Sequence, residues 1–227
     1  MPLIPLSSLG LSFDEEGFVD SAFLVRLGMG AEASAWADFA NGCVYKLFEL
    51  HPNYALGKRI VLVEDGERLD ATVADADLFS TLEKLEILHE AGACPTEIVG
   101  IASSGDHLIV KQPLCREWED FAADQRAAID GMKAIIPKVS LGVKFMTVVW
   151  LRGGAWFVGD LHRQNIMRLA DGSATVIDAL VCPVPFRIVD EVPHLRAAAD
   201  RARRWREGDA SGGREDDVFA GIDDKDL

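Results

Sequence analysis

The sequence predicts an α+β chain, with a strand-rich N-terminal part around one long helix over residues 1–111 and a mainly helical part over 112–207. Three observations lead there. Short apolar runs broken by turn residues fill much of 22–63 and 96–111, the pattern of strands joined by tight turns. Ala71 to Ala91 carries an apolar stripe at helical spacing, Leu78, Leu82, Leu85 and Leu88, with Gly92 and Pro95 to stop it. The stretch Trp156 to Leu180 places Asp160, Asn165 and Asp178 at the ends of short apolar runs, so a hairpin there brings three oxygen-bearing side chains to one cleft.

Composition bounds the rest. A chain of 227 residues with 49% hydrophobic content can bury one large core or two small ones. No apolar run approaches the length of a membrane span, and the opening residues 1–17 lack a basic region followed by an apolar segment, so a cytoplasmic protein without a membrane partner is expected. Cys43, Cys94, Cys115 and Cys182 have no C-x-x-C spacing and read as reduced, mostly buried residues. A net charge of −14 argues against a nucleic-acid partner, which needs a dense cationic footprint. Part of that charge is clustered between Glu207 and Asp226, in a polar segment 208–227 expected to be a flexible acidic tail, so a local phosphate pocket is not excluded.

In chain order, Phe13 to Asp20 is an acidic lead-in. A strand ending at Leu27 turns through Gly28 and Gly30 and returns through Ala35 and Trp36; without side chains, the two glycines let backbone N–H groups approach an anion, although a bare G-x-G also describes an ordinary turn. An Asn41-Gly42 turn leads to Cys43–Phe48, where Lys46 is the odd residue in an apolar run. An unpaired ammonium there is costly, so Lys46 either reaches water from an edge strand or meets a charged partner. Gly57-Lys58 is not a P-loop, since Pro52 and Arg59 stand where a glycine and a hydroxyl are required, and no complete dinucleotide fingerprint is present. Residues 49–70 read as an insertion, with a short strand at Ile60–Val63 and a turn at 64–67.

On the long helix, Glu86 lies one turn after Leu82 and near the buried stripe, while Glu83 lies farther around. Thr96–Ala102 and His107–Lys111 form a hairpin about Ser104-Gly105-Asp106, followed by the connection Gln112 to Cys115. Arg116–Ile136 reads as a helix. Val143–Leu151 is apolar, and Gly153-Gly154 turns it into the Trp156 strand; Trp118, Phe145, Trp150 and Trp156 suit the core. After Asp178 there is room for one helix, Val192–Arg206, with Arg201, Arg203, Arg204 and Arg206 on its solvated side.

Asp160, five residues before Asn165, resembles the D-x-x-x-x-N catalytic loop of the protein-kinase-like superfamily, and Asp178 resembles its metal-binding aspartate. The loop DLHRQN is closer to the DLHxxN form of aminoglycoside, choline and atypical kinase-like families than to H-R-D, and is similar to compact kinase-like domains of bacterial and phage polyvalent proteins. Val158-Gly159-Asp160 replaces H-R-D, Asp178-Ala179-Leu180 replaces D-F-G, and Ala33 stands at the third glycine of the glycine-rich loop. The resemblance spans about residues 22 to 180. It implies a two-lobed protein-kinase-like fold with a reduced C-terminal lobe and a cleft between the lobes.

It also implies the cofactors ATP and Mg²⁺. Asp160 would orient the acceptor hydroxyl, and Asn165 and Asp178 would hold the metal. Lys46, paired with Glu86 or Glu83, would hold the phosphates beneath Gly28, Gly30 and Ala33, while the backbone from Gln112 to Leu114 reads the adenine edge. His162, inside the loop, would shape it or touch a phosphate. The activity implied is a phosphotransferase acting on protein serine or threonine hydroxyls, with a small-molecule hydroxyl kinase or a catalytically silent nucleotide-binding module as the alternatives.

Overall fold

A computed structural model of the chain describes residues 1–30, 32–50, 56–65, 68–138, 143 and 145–213. The chain opens with β1 (Leu3–Ile4), a 3₁₀ turn at Leu6–Leu9, and a small hairpin of β2 (Ser12–Phe13) and β3 (Val19–Asp20). The meander β4 (Val25–Met29), β5 (Ser34–Asp38) and β6 (Cys43–Glu49) follows. Next come the hairpin of β7 (Gly57–Asp65) and β8 (Arg68–Ala76), helix α1 (Leu78–Ala91), and the strands β9 (Glu97–Ala102) and β10 (His107–Pro113). The main sheet runs β1-β9-β10-β6-β5-β4 and is antiparallel except where β1 joins β9. That edge needs a glycine, because a Cβ on Gly100 would lie 2.4 Å from the carbonyl oxygen of Pro2.

Helix α1 starts at Leu78 rather than Ala71. Asp77 caps it, its carboxylate accepting the Ser80 N–H at 2.7 Å, and Gly92 closes it at φ +95. Residues 69–76 are instead the strand partner that Ile60–Val63 requires, paired in unbroken register from Gly57↔Ala76 to Asp65↔Arg68. The insertion is therefore one long hairpin; residues 66–67 of its expected turn lie outside the described residues.

The remainder comprises β11 (Arg116–Glu117), α2 (Phe121–Gly131), β12 (Thr147–Leu151), β13 (Gly154–Gly159), a 3₁₀ turn at Arg163–Asn165, β14 (Ile166–Arg168), β15 (Ala174–Val176), β16 (Leu180–Pro183), α3 (Phe186–Glu191) and α4 (Pro193–Arg206). It forms two three-stranded sheets, β11-β14-β15 and β12-β13-β16. Helix α2 is shorter than periodicity suggested at both ends. Arg116 and Glu117 pair with β14, Asp120 caps the helix, and Ile135 leaves it to bridge Val148. The β12–β13 turn is Arg152-Gly153, both at positive φ, the conformation that suits a two-residue hairpin; Gly154 already belongs to the strand.

Core packing ties the parts together. One apolar cluster lies between the main sheet and α1 (Phe48, Leu85, Leu108, Val110), and another covers the sheet's opposite face (Leu47, Ile109, Trp36). Ile87, Leu88 and Ala91 of α1 belong to the core around α2 and β13, while Ile60 and Ala71 of the β7–β8 hairpin join Phe157 and α4 in a fourth cluster. Truncating Phe157, which is fully buried, to alanine would cost about 3–5 kcal/mol. A short 3₁₀ turn at Ala210–Gly213 sits against Trp205; the expected acidic tail beyond residue 213 lies outside the described residues. Among the described residues no helix is long and apolar enough to cross a membrane.

Candidate functional site

Lys46 is placed by strand alternation. In β6 it is flanked by Ala35 on β5 and Val110 on β10, and it shares with Phe48 the sheet face turned toward α1. Only 8% of the residue is exposed. Its ammonium bonds the Asp178 carboxylate, 132 positions away in sequence. The side chain of Asp178 is half exposed, so one end of this ion pair is buried and the other reaches solvent.

Asn165 joins the Asp178 end of the segment to Asp160. The Ile177 N–H donates to the Asn165 carbonyl at 2.8 Å, which ties the residue before Asp178 to the loop. Asn165 is buried, and its Nδ2 donates to the Asp160 carbonyl oxygen at 2.8 Å and approaches Asp160 Oδ2 at 3.4 Å. His162 Nε2 lies 3.4 Å from Asp160 Oδ1, while its Nδ1 accepts the Gln164 N–H and caps the 3₁₀ turn. The loop is also held from outside, because Gln125 Nε2 donates to Leu161 O and Trp118 Nε1 donates to Arg163 O.

Both aspartates adopt left-handed backbone conformations, Asp160 at φ +65 and Asp178 at φ +52. Non-glycine residues seldom do so, and such conformations cluster at sites where the surrounding structure fixes an unusual side-chain direction. Gly159 fixes part of that direction. A Cβ there would lie 3.0 Å from Ile60 Cδ1 and Met146 Cγ and 3.1 Å from Val143 Cγ1, so the residue before Asp160 is small because the β7–β8 hairpin and the segment leading into β12 both press on it.

The glycine turn joins β4 to β5, with a bulge between Arg26 and Gly28. The Gly30 N–H donates to the Ala33 carbonyl at 3.0 Å, and Ala33 packs on the cluster beneath the sheet. Neither Gly28 nor Gly30 has a positive φ. A Cβ on Gly28 would meet nothing within 4 Å, and one on Gly30 only Ala33 O at 3.7 Å, so nothing inside the protein demands glycine at either place. Gln112 turns its side chain inward to donate to Thr96 Oγ1 at 2.9 Å, and it lines the same cleft as Asp178. The Leu114 N–H is already engaged by the Gly42 carbonyl at 2.9 Å, so this donor does not face a ligand.

The helix glutamate expected beside Lys46 is elsewhere. Glu86 is exposed and accepts from Arg152 Nη2 at 2.9 Å, and Glu83 is exposed as well. The charged group that α1 buries is Lys84, with its side chain 4% exposed and its Nζ 2.6 Å from Glu32 Oε2; Glu32 Oε1 accepts the Lys58 N–H at 2.7 Å. Both residues line the cleft. One sequence signal pointed to Lys84, which follows Thr81 by three positions and precedes Leu88 by four, on the buried side of the helix.

Two further features border the site. The sulfurs of Cys94 and Cys115 lie 3.9 Å apart, and this neighbour, together with burial, pushes the Cys94 thiol up. Arg168 bonds both oxygens of buried Asp124 and holds its carboxyl below the usual range, fixing β14 to α2. Among the described residues, no group of three or more His, Cys, Asp or Glu side chains is arranged to hold a metal ion. Compared with known proteins, the chain matches no family model, no curated protein and no solved structure.

Proposed function

We propose that the chain is an ATP- and Mg²⁺-dependent phosphotransferase of the protein-kinase-like type, with a two-lobed arrangement, a reduced C-terminal lobe and the reaction in the cleft beside Lys46. The observation that carries this reading is the ion pair of Lys46 with Asp178, which joins the lysine strand to the end of the Asp160–Asp178 segment across most of the chain. The order of parts supports it: a glycine turn, a lysine strand, a helix, a hairpin, a connection, an aspartate–asparagine loop and a second aspartate. So do the two glycines whose missing side chains leave open space on the turn.

The donor chemistry suits Mg²⁺. This ion takes hard oxygen ligands and is commonly held by one or two carboxylates plus substrate phosphates, so two protein oxygens, from Asp178 and Asn165, are a reasonable set. Held by these two residues, a metal ion would supply positive charge to offset that of the phosphates. Asp178 would turn its half-exposed carboxylate from Lys46 toward the metal, leaving the Lys46 ammonium to the phosphates. Asp160, steadied by Asn165 and His162, would accept the proton of the acceptor hydroxyl.

A protein serine or threonine hydroxyl, met in the cytoplasm, is the acceptor we favour; among the described residues only α3, α4 and the 3₁₀ turn at Ala210–Gly213 follow β16, which leaves little chain there to enclose a small molecule. A small-molecule hydroxyl is the alternative that the DLHRQN loop supports. A nucleotide-binding module without transfer is favoured by one observation, that Arg152 rather than Lys46 engages Glu86.

Titrating a nonhydrolysable ATP analogue with and without Mg²⁺ tests the assignment. Asp178→Asn should lose most of the Mg²⁺-dependent part of binding, because an amide attracts a hard cation less than a carboxylate does. Asp160→Asn should keep it and lose turnover. Equal, Mg²⁺-independent binding in wild type and Asp178→Asn would refute the metal site.

A further inference from the structure

We infer that Lys84 and Glu32 are positioning residues which clamp the glycine turn against α1 and so fix how closely the turn lies over the phosphates. The inference rests on the nucleotide reading above and assigns to this pair the helix-to-cleft coupling expected of Glu83 or Glu86. Glu32 sits between Gly30 and β5, on the turn itself. Its two carboxylate oxygens have different tasks, one accepting from the Lys84 ammonium in the middle of α1 and the other from the Lys58 N–H at the start of β7. Three elements, the turn, the helix and the inserted hairpin, thus meet at one side chain.

The site is built for this contact. A Cβ on Gly57 would lie 3.4 Å from the Glu32 carboxyl carbon and 3.3 Å from Thr81 Oγ1, so a larger residue would crowd the carboxylate where it meets Lys58. Lys84 also reaches the Lys58 carbonyl, at 3.4 Å. With its side chain 4% exposed, the ammonium has given up water for these oxygens and loses heavily if Glu32 moves away. The charge order is reversed relative to a helix carboxylate paired with a strand lysine. Here the helix supplies the cation and the turn supplies the anion, which leaves Lys46 free of the helix and bonded to Asp178. The position of α1 is therefore transmitted to the turn.

Three variants, Lys84→Met, Glu32→Gln and the double substitution, test the clamp by nucleotide titration and by amide hydrogen exchange of the nucleotide-free protein. Loss of a charged hydrogen bond at the clamp predicts an ATP affinity lower by about tenfold in each single variant. Adenosine, which has no phosphate for the turn to meet, should bind each variant as it binds wild type. The double variant should lose no more than either single one, because both act through one contact. In Lys84→Met the Lys58 amide should exchange about tenfold faster, since the carboxylate it bonds is no longer held.

Equal weakening of ATP and adenosine, additive losses in the double variant, or an unchanged Lys58 amide would each overturn the inference. Wild-type protein that binds no ATP would instead refute the nucleotide reading, and the exchange of the Lys58 amide would still decide whether the clamp exists.

Discussion

Lys46→Met should make the protein more stable while removing the proposed nucleotide binding. The ammonium of Lys46 is buried, with the residue 8% exposed between two strands, and its partner Asp178 has a side chain 51% exposed. Burying a charge costs several kcal/mol, and a single partner in a half-wet position offsets it incompletely. Methionine keeps the length of the stem and places a thioether beside Phe48 and Val110, so little packing is lost. Removing one partner of a buried pair usually destabilises because the remaining charge is stranded, but Asp178 can be solvated where it stands. The balance is a stabilisation of about 0–2 kcal/mol. At this chain length each kcal/mol raises the melting temperature by about 2–4 °C. Urea unfolding gives the free energy and an ATP-analogue titration of the same sample gives the function. A loss of more than about 2 kcal/mol would refute the reasoning, because it would mark the ion pair as a structural anchor rather than a cation held ready for phosphate.

Gly159→Ala should cost about 1–3 kcal/mol by overpacking against Ile60, Met146 and Val143, and should lower the proposed phosphotransfer by displacing Asp160. Adding Ile60→Val, which removes the methyl at 3.0 Å, should recover part of both losses, and unfolding with transfer assays on the two variants checks this. Asp124→Asn should destabilise the protein in a pH-dependent way. Arg168 depresses the Asp124 carboxyl, so its contribution is complete above the unfolded value of about 3.9 and is lost as pH falls through the lower folded value. The gap between variant and wild type in urea midpoint should therefore be full at neutral pH and close under strongly acid conditions.

The strands that carry Lys46 and the hairpin that ends at Asp178 were legible because their signals are local. Short apolar runs mark those strands, and Asn41-Gly42 and Asp171-Gly172 mark their turns, whatever surrounds them. The start of α1 was not legible to the same degree. Ala71 to Ala76 contains small residues that fit a helix or a strand, and what decided the matter was a partner strand beginning at Gly57, beyond any helical window. The same holds for Arg116 and Glu117, whose strand exists only because β14 lies beside it. The β1 edge depends on a close approach of Pro2 to Gly100 that two residues of strand do not announce.

The helix glutamate failed for a different reason, and it separates what periodicity gives from what it cannot give. Periodicity ranks positions around a helix by their distance from the apolar stripe, and on that ranking Glu86 lies close to it. A charged side chain is buried, however, only where a counter-charge is fixed within reach, since its desolvation cost exceeds the gain from burying its stem. Glu86 finds Arg152 at the surface, and Lys84 finds Glu32 inside. The inner partner comes from the glycine turn, 52 positions earlier, and its carboxylate is anchored by Lys58, so the electrostatics of the turn selected which helix residue faces the cleft. A helix carboxylate at position 84 would meet Glu32 and be repelled. The turn and the helix are therefore one electrostatic unit, in which the sign carried by Glu32 determines the sign that α1 can present.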